Sequence, residues 1–153
     1  MSRDVIVGSM VDELSFDADE IARLVNYLDD LKVGIPPGEL QISFLGRKDM
    51  CTVHAKFLHD ETLTDVITFP GDPVMRFAGE ICVSVDYAEV SALEHNVTFD
   101  EELTLYIVHG CLHLSGLNDI LENEIIKMRQ AEKFCMDAVK AAKILPKFSF
   151  LKL

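Results

Sequence analysis

The chain has 153 residues, 49% of them hydrophobic, which suffices for one domain with an ordinary buried core. Its 14 basic and 26 acidic residues give a formal net charge of −12, which argues against non-specific nucleic-acid binding through bulk charge. Basic residues are concentrated at 127–153, where the only acids are Glu132 and Asp137. This stretch is interpreted as the solvated face of a last helix, with a phosphate-contacting edge as the alternative.

The predicted elements begin with a strand at 4–8 and a helix after Asp17, whose capping-box partner would be Glu20. Gly34 ends that helix, and alternating apolar and polar residues predict a strand at 40–46. The next elements are predicted as a helix at 47–59, a strand at 66–69 followed by a Pro/Gly loop, a strand at 81–85 and a short helix at 87–95.

Two further helices complete the chain. Thr98 is the predicted N-cap of a helix that runs to about Ser115, and Gly116 is placed to close it. A last helix is predicted at 121–143, with an apolar stripe of Ile125, Met128, Ala131, Cys135, Ala138 and Ala142. The order β-α-β-α-β-β-α-α-α indicates a single α+β domain over residues 1–153, with four strands and about five helices.

Location and redox state follow from the absence of certain patterns. The apolar stretch at the N-terminus is short and ends at Asp12, so no signal peptide is expected. Residues 103–118 lack Asp, Glu, Lys and Arg but fall short of spanning length, which favours a buried helix in a soluble cytoplasmic protein. The four cysteines form no Cys-x-x-Cys pair, and reduced thiols in the core are expected.

A candidate metal site lies in the stretch HGCLHLSGLND, residues 109–119. On a helix, His109 and His113 present their imidazoles on one face within reach of one ion. Gly116 lets the chain leave the helix sharply, so that Asp119 can return its carboxylate to them. This is the metzincin spacing of His, His, Gly and ligand, with Asp in the last place. Two imidazoles and one carboxylate with an open fourth position describe a catalytic zinc, one per chain.

The competing interpretation is two polar histidines near a helix end that cap carbonyls or face solvent. The apolar surroundings favour the metal, because unpaired imidazoles there would lose hydration. Zinc peptidases of the His-Glu-x-x-His type carry a glutamate base after the first histidine, where this chain has Gly110. A peptidase is therefore disfavoured, and the sequence does not identify a general base.

Three phrases in order resemble the YbeY family of bacterial rRNA-maturation endoribonucleases. They are HGCLHLSG at 109–116, LTDVITFP at 63–70 and GEICVSVD at 79–86. The resemblance covers most of the chain and implies a one-domain α+β fold with a mixed sheet and a metal held by three residues in a cleft. It implies hydrolysis of single-stranded RNA in small-subunit rRNA 3′-end processing and ribosome quality control. The implied partners are 16S-type ribosomal RNA and also ribosomal proteins or an assembly GTPase, with no membrane.

By position in these phrases, His109, His113 and Asp119 match the family's metal ligands. Most members compared carry a third histidine in place of Asp119, and the carboxylate makes the site less cationic and more tolerant of hard ions such as Mn²⁺. The family often has an arginine after an aromatic residue, before the TDV stretch, where it could clamp phosphate. This chain has Phe57-Leu58 there, and neighbouring Lys56 or His59 are candidates to replace it.

Two other polar residues, Asp65 and Ser84, have two interpretations each. Asp65 is a cap or turn carboxylate, or else a partner that orients a ligand histidine. Ser84 faces either outward or into the cleft. His54, His59 and His95 are expected outside the metal site, in surface, half-buried or capping positions.

The leading functional hypothesis is a metal-dependent endoribonuclease that acts on ribosomal RNA. The alternative is a non-catalytic ribosome-assembly factor with a structural metal, which the missing arginine and the net charge of −12 favour. The two hypotheses differ in whether the metal-loaded protein cleaves RNA.

Overall fold

A four-stranded mixed sheet forms the centre of the fold, which a computed structural model describes for residues 2–151. In spatial order its strands are β1 (Val5–Ser9), β3 (Glu39–Leu45), β5 (Phe77–Ser84) and β4 (Val66–Asp72). β1 and β5 pair with β3 in parallel, whereas β4 pairs with β5 in antiparallel fashion. A second, two-stranded sheet pairs β2 (Leu14–Phe16) with β6 (Phe148–Phe150).

Five helices pack around these strands in the described part of the chain. They are α1 (Ala18–Asp30), α2 (Arg47–Leu58), α3 (Val85–His95), α4 (Phe99–Leu114) and α5 (Glu122–Ala141). The bounds of α2 to α5 agree with the predicted helices to within about two residues, the usual uncertainty of helix ends, whereas α1 ends at Asp30, before the Gly34 that was predicted to end it. The prediction of a single α+β domain with a mixed four-stranded sheet and five helices is confirmed.

The alternation of side chains along the strands creates two apolar layers. In β5, Ile81 and Val83 belong to the main core between the sheet and α1, α4 and α5. Cys82 points to the opposite face, where it packs with Met50 of α2 in a smaller cluster. α4 is enclosed by the main core, and this explains why it carries no charged residue beyond its first turn. Among residues 2–151, no helix is long and apolar enough to cross a membrane.

Two predictions about local structure are wrong. Asp17 does cap α1, but its carboxylate accepts the N–H of Asp19, and Glu20 instead accepts the N–H of Lys147 at 3.1 Å, so no capping box forms. The Pro/Gly loop expected after residue 69 is a continuation of β4, which pairs Pro70 with Gly79. Proline is tolerated there because β4 is an edge strand.

The pairing of β2 with β6 is absent from the sequence prediction. Each strand has three residues, and the ladder is stabilised by an aromatic cluster. The ring of Phe44 lies 5.1 Å from that of Phe16 and 5.7 Å from that of Phe148, and Phe99 contacts both Phe148 and Phe150. These contacts anchor the C-terminal segment to the main core.

The four cysteines are free, as expected, and they differ in accessibility. Burial raises the pKa of the Cys82 and Cys111 thiols to about 12 and also raises the pKa of Cys135. Because the thiolate is the reactive form, we expect only Cys51 to react rapidly with a disulfide reagent at about pH 8 in the folded protein. A Cys51→Ser variant should lose this fast phase. Rapid reaction of two or more thiols before denaturation would contradict the buried positions.

Candidate metal centre

His109 and His113 lie one turn apart near the C-terminal end of α4. Their ring centroids are 4.4 Å apart and the ring planes are perpendicular. His109 is 8% exposed, and His113 is half-buried. The predicted N-cap is present, since the Thr98 hydroxyl accepts the N–H of Glu101 at 3.1 Å. The two imidazoles are thus held by a well-formed helix rather than by a loop.

Asp119 returns to the histidines through the turn that ends α4. Gly116 adopts a φ of +112°, which side-chain-bearing residues rarely adopt, and this redirects the chain. The Nδ1 atom of His113 hydrogen-bonds the carbonyl oxygen of Leu117 at 2.9 Å, which fixes the ring against the same turn. As a result, Oδ2 of Asp119 lies 3.4 Å from Nε2 of His109 and 3.3 Å from Nε2 of His113.

This spacing fits a metal ion. Neighbouring ligand atoms lie about 3.4 Å apart in a tetrahedral site with zinc–ligand distances of about 2.0–2.1 Å. The observed 3.4 and 3.3 Å agree with this value, and they exceed the usual N–H···O hydrogen-bond range of about 2.7–3.2 Å. One potential ligand atom from each of the three side chains lies within 4.8 Å of the others. The three residues predicted from the sequence are therefore brought together and could hold an ion.

A fourth side chain, Glu132 of α5, fixes the orientation of His109. Its Oε2 accepts a hydrogen bond from Nδ1 of His109 at 2.5 Å, and its Oε1 accepts one from Arg129 at 2.7 Å. Glu132 is 5% exposed, so the carboxylate is desolvated and depends on these two donors. A carboxylate on the distal nitrogen is the usual partner of a metal-binding histidine, because it sets the tautomer and directs Nε2 toward the ion.

Electrostatics reinforce this pair. Burial alone would lower the pKa of His109, but the hydrogen bond and charge of Glu132, together with the charges of Asp65 and Asp119, raise it. Burial would raise the pKa of Glu132, but its hydrogen bonds to His109 and Arg129 lower it. A positive charge at His109, whether from a proton or from a metal, is thus favoured. Since a ligating imidazole must lose its proton from Nε2, metal affinity is expected to fall as the pH drops through the raised pKa of His109.

The sequence analysis missed Glu132 because it placed the apolar stripe of α5 incorrectly. The face that α5 buries consists of Met128, Glu132, Cys135, Met136 and Val139, whereas Ile125 is 39% exposed. Helical spacing contained the signal, since Glu132 is four residues after Met128 and three before Cys135. A carboxylate on the buried face of a helix requires a buried partner.

Comparison with known proteins identifies the family. Residues 10–140 match the family described as Endoribonuclease YbeY, which is most of the chain. The chain belongs to this family. The resemblance found in the three sequence phrases is confirmed.

Individual relatives support this assignment. The Endoribonuclease YbeY of Protochlamydia amoebophila is 40% identical over 98 residues, which are 61% of this chain but just 65% of that protein's length. The Endoribonuclease YbeY of Flavobacterium johnsoniae is 30% identical over 128 residues, 81% of this chain and 92% of the relative. The solution structure of TM1509 from Thermotoga maritima has a TM-score of 0.59 and 20% identity, and covers 92% of this chain and 94% of that one. This structural similarity supports the fold.

The candidates for the family arginine do not lie at the candidate metal centre. Phe57 packs on Phe69 with ring centroids 5.1 Å apart, and the Lys56 ammonium lies 5.4 Å from the ring centre of Phe57. His59 is exposed as the C-cap of α2. The guanidinium of Arg129, in contrast, is hydrogen-bonded to the same carboxylate as His109. Sequence position alone did not indicate this placement.

The remaining polar candidates have structural roles. Asp65 is a turn carboxylate that accepts the N–H of Val66 at 2.8 Å, although it also lines the cavity beside His109. Ser84 is the N-cap of α3 and accepts the N–H of Tyr87, a role that neither interpretation anticipated. His54, His59 and His95 lie outside the three-residue cluster, as expected.

Gly110 explains why this helix lacks the peptidase glutamate. A Cβ atom at this position would lie 2.5 Å from Cγ2 and 3.0 Å from Cδ1 of Ile81 in β5. The side chain of any other residue would therefore enter the contact between helix and sheet instead of facing Asp119. The absence of a glutamate after the first histidine is a packing requirement of this family member.

Gly110→Ala is expected to destabilise the fold, because overpacking against Ile81 costs about 1–3 kcal/mol. The gain of about 1 kcal/mol in helix propensity offsets only part of this cost, since the added Cβ would lie 2.5 Å from Cγ2 of Ile81. Denaturant unfolding measures the effect, and Gly8→Ala is the control because a Cβ at Gly8 meets nothing within 4 Å. A Gly110→Ala protein as stable as the wild type would show that α4 does not approach the sheet this closely.

Proposed function

We propose that the chain is a zinc-dependent endoribonuclease that cleaves single-stranded RNA, in particular 16S-type ribosomal RNA during 3′-end maturation and ribosome quality control. The observation that carries the proposal is the convergence of His109, His113 and Asp119 in a member of an endoribonuclease family. Cytoplasmic location and contacts with ribosomal proteins or an assembly GTPase belong to the same proposal.

The proposed ligands of the ion are Nε2 of His109, Nε2 of His113 and a carboxylate oxygen of Asp119. Two nitrogen donors and one oxygen donor suit zinc better than magnesium or calcium, which prefer oxygen ligands alone. Glu132 holds His109 in the tautomer that leaves Nε2 available for the ion. Zinc, when bound, supplies Lewis acidity toward water and phosphoryl oxygen.

Three protein ligands favour catalysis over a purely structural site, because structural zinc sites use four. One face of the cluster also adjoins a cavity lined by His109, Arg129 and Glu132. A nucleotide can approach from this side, with its phosphate at the exposed Arg129 guanidinium. The net charge of −12 means that attraction of RNA has to be local, and the ion together with the Arg129 guanidinium provides that local positive charge.

The proposal is tested with protein purified to homogeneity and analysed for metal before any assay. We expect about one zinc per chain and chelator-sensitive cleavage of a single-stranded RNA, with both lost together in Asp119→Asn. Double-stranded RNA of the same sequence serves as the substrate control. Zinc and Mn²⁺ are each added back to the chelated protein to determine which ion restores cleavage.

Three outcomes would contradict the proposal in different ways. Zinc-loaded protein that never cleaves RNA removes the enzymatic function and supports a non-catalytic assembly factor whose metal is structural. Cleavage that survives in Asp119→Asn at the wild-type rate originates from a contaminant or from another site. If the purified protein neither contains nor binds a metal, both the endoribonuclease and the assembly factor with a structural metal are contradicted.

A further inference from the structure

A polar cavity of about 430 Å³ extends from His109 between α3, α4 and α5. This volume lies in the range of about 300–1,000 Å³ that is typical of small-molecule sites. Glu102, Tyr106 and His109 lie on one face of α4 and line the cavity, with Glu102 about two turns, or about 10 Å, from His109. His109, the one residue of the three-residue cluster that lines the cavity, thus lies at one end of it and Glu102 at the other.

Glu102 is a buried carboxylate with unused capacity to accept hydrogen bonds. It is 5% exposed, and its Oε2 accepts a hydrogen bond from the Tyr106 hydroxyl at 3.2 Å and lies 3.5 Å from Nδ1 of His95. A carboxylate can accept about four hydrogen bonds. A ligand that brings N–H groups to the remaining lone pairs of Glu102 would gain charge-assisted hydrogen bonds there.

The charges that line the cavity determine which part of a nucleotide can occupy its interior. Asp65, Glu102 and Glu132 all line the cavity, so its interior is acidic and would repel a phosphate group. The rings of Tyr87 and Tyr106 are 6.2 Å apart, and Tyr87 is 39% exposed. An aromatic surface of this kind stacks with a nucleobase, and such stacking contributes about 1–3 kcal/mol per base. The interior therefore suits a base and not a phosphate.

Arg129 supplies the complementary cation next to His109. Its guanidinium donates to Glu132 at 2.7 Å, and its side chain remains 66% exposed. An arginine has five N–H donors in a planar arrangement that fits two phosphate oxygens. The contact with Glu132 holds this guanidinium beside the cluster and leaves other donors directed to solvent.

We propose that this cavity is a nucleotide-binding subsite of the RNA cleft, in which Arg129 contacts a phosphate and Glu102 accepts hydrogen bonds from a guanine base. The inference rests on the proposed function and deepens it by naming a base preference. Guanine presents adjacent N1–H and N2–H₂ donors that match one carboxylate. Uracil presents a single N–H between two carbonyl oxygens, which a carboxylate repels.

The test is a titration of zinc-loaded protein with 5′-GMP and with 5′-UMP, followed by calorimetry or by NMR shifts. Both ligands carry the same phosphate, so contacts of phosphate with the ion cancel in the comparison. We expect GMP to bind about tenfold more tightly than UMP, as one good polar base contact contributes about 1–3 kcal/mol of discrimination. Guanosine and uridine, which lack the phosphate, should keep the same order.

Variants assign the two halves of the subsite. Glu102→Gln is expected to weaken GMP binding about tenfold and to leave UMP binding unchanged. Arg129→Gln is expected to weaken the binding of GMP and of UMP by the same factor, because both nucleotides carry the same phosphate. Glu101→Gln and Lys133→Gln are the controls, because these residues pair with Lys140 and Asp137 and do not line the cavity. Tyr87→Ala, at a partly exposed position, gives a second test of the base half if Glu102→Gln unfolds.

Equal binding of GMP and UMP by zinc-loaded wild type, or unchanged GMP binding by a folded Glu102→Gln protein, would overturn this inference. An assay of single-stranded RNA cleavage with the same preparation distinguishes a failure of the guanine subsite from a failure of the proposed endoribonuclease function. RNA cleaved without any base preference contradicts the subsite alone. Selective GMP binding without RNA cleavage contradicts the endoribonuclease alone.

Discussion

His113→Ala is expected to reduce zinc content from about one ion per chain to near zero, since two ligands from separate elements cannot hold the ion at ordinary concentrations. RNA cleavage should fall at least about 100-fold, because loss of a residue that merely supports a ligand already costs about 10–100-fold. The measurements are elemental analysis after dialysis and the initial rate of cleavage of a fluorescent single-stranded RNA. The fold should persist, because His113 is half-buried and its contacts with His109, Asp119 and the Leu117 carbonyl oxygen all lie at the candidate centre itself.

The matched control is His59→Ala. His59 is exposed at the end of α2, outside the three-residue cluster, so this variant should retain full metal content and activity. Circular dichroism verifies the fold of both variants. If His113→Ala binds zinc as the wild type does, the ion is held elsewhere and the assignment of this centre is wrong.

Glu132→Gln is expected to lower metal affinity or cleavage by about 10–100-fold while all three proposed ligands remain. In the wild type, the two carboxylate oxygens of Glu132 accept from His109 and from Arg129. The amide of glutamine has one oxygen, so its NH₂ group would face either Nδ1 of His109 or the Arg129 guanidinium. His109 then loses the acceptor that selects its tautomer. The zinc dissociation constant, measured by competition with a chelating dye, and the cleavage rate at saturating zinc separate a loss of affinity from a loss of activity.

Glu122→Gln provides the comparison, because it makes the same chemical change at an exposed position in the first turn of α5. Glu122→Gln should leave the zinc dissociation constant and the cleavage rate within about twofold of the wild-type values, consistent with the small effect of a charge in the first turn. Unchanged zinc affinity and cleavage in Glu132→Gln would show that the hydrogen bond to His109 has no positioning role.

Local signals were sufficient to predict the candidate metal centre at the end of α4. Thr98, Gly116 and the spacing of His109, His113 and Asp119 are features within a single stretch of chain, and their geometry follows from helix periodicity and from the positive φ of a glycine. The structure brings these side chains together as expected. Short-range physics determines this part of the site.

Long-range contacts explain what the sequence did not predict. β2 and β6 are too short to be recognised from alternation, and they form because Phe16 and Phe148 both pack on Phe44. Helical spacing places Glu132 on the buried face of α5, but its partner His109 is identified only once α5 is packed against α4. Pro70 resembles a loop residue, and its place in β4 is tolerated because that strand has a free edge.

The components of this centre are synthesised in a fixed order. His109 and His113 emerge from the ribosome together, Asp119 follows beyond Gly116, and Glu132 appears only with α5. A nascent chain that stops before α5 has no carboxylate to orient His109, so it would exchange metal quickly. Tight binding of the proposed metal therefore requires α5 and is expected only after α5 has packed against α4.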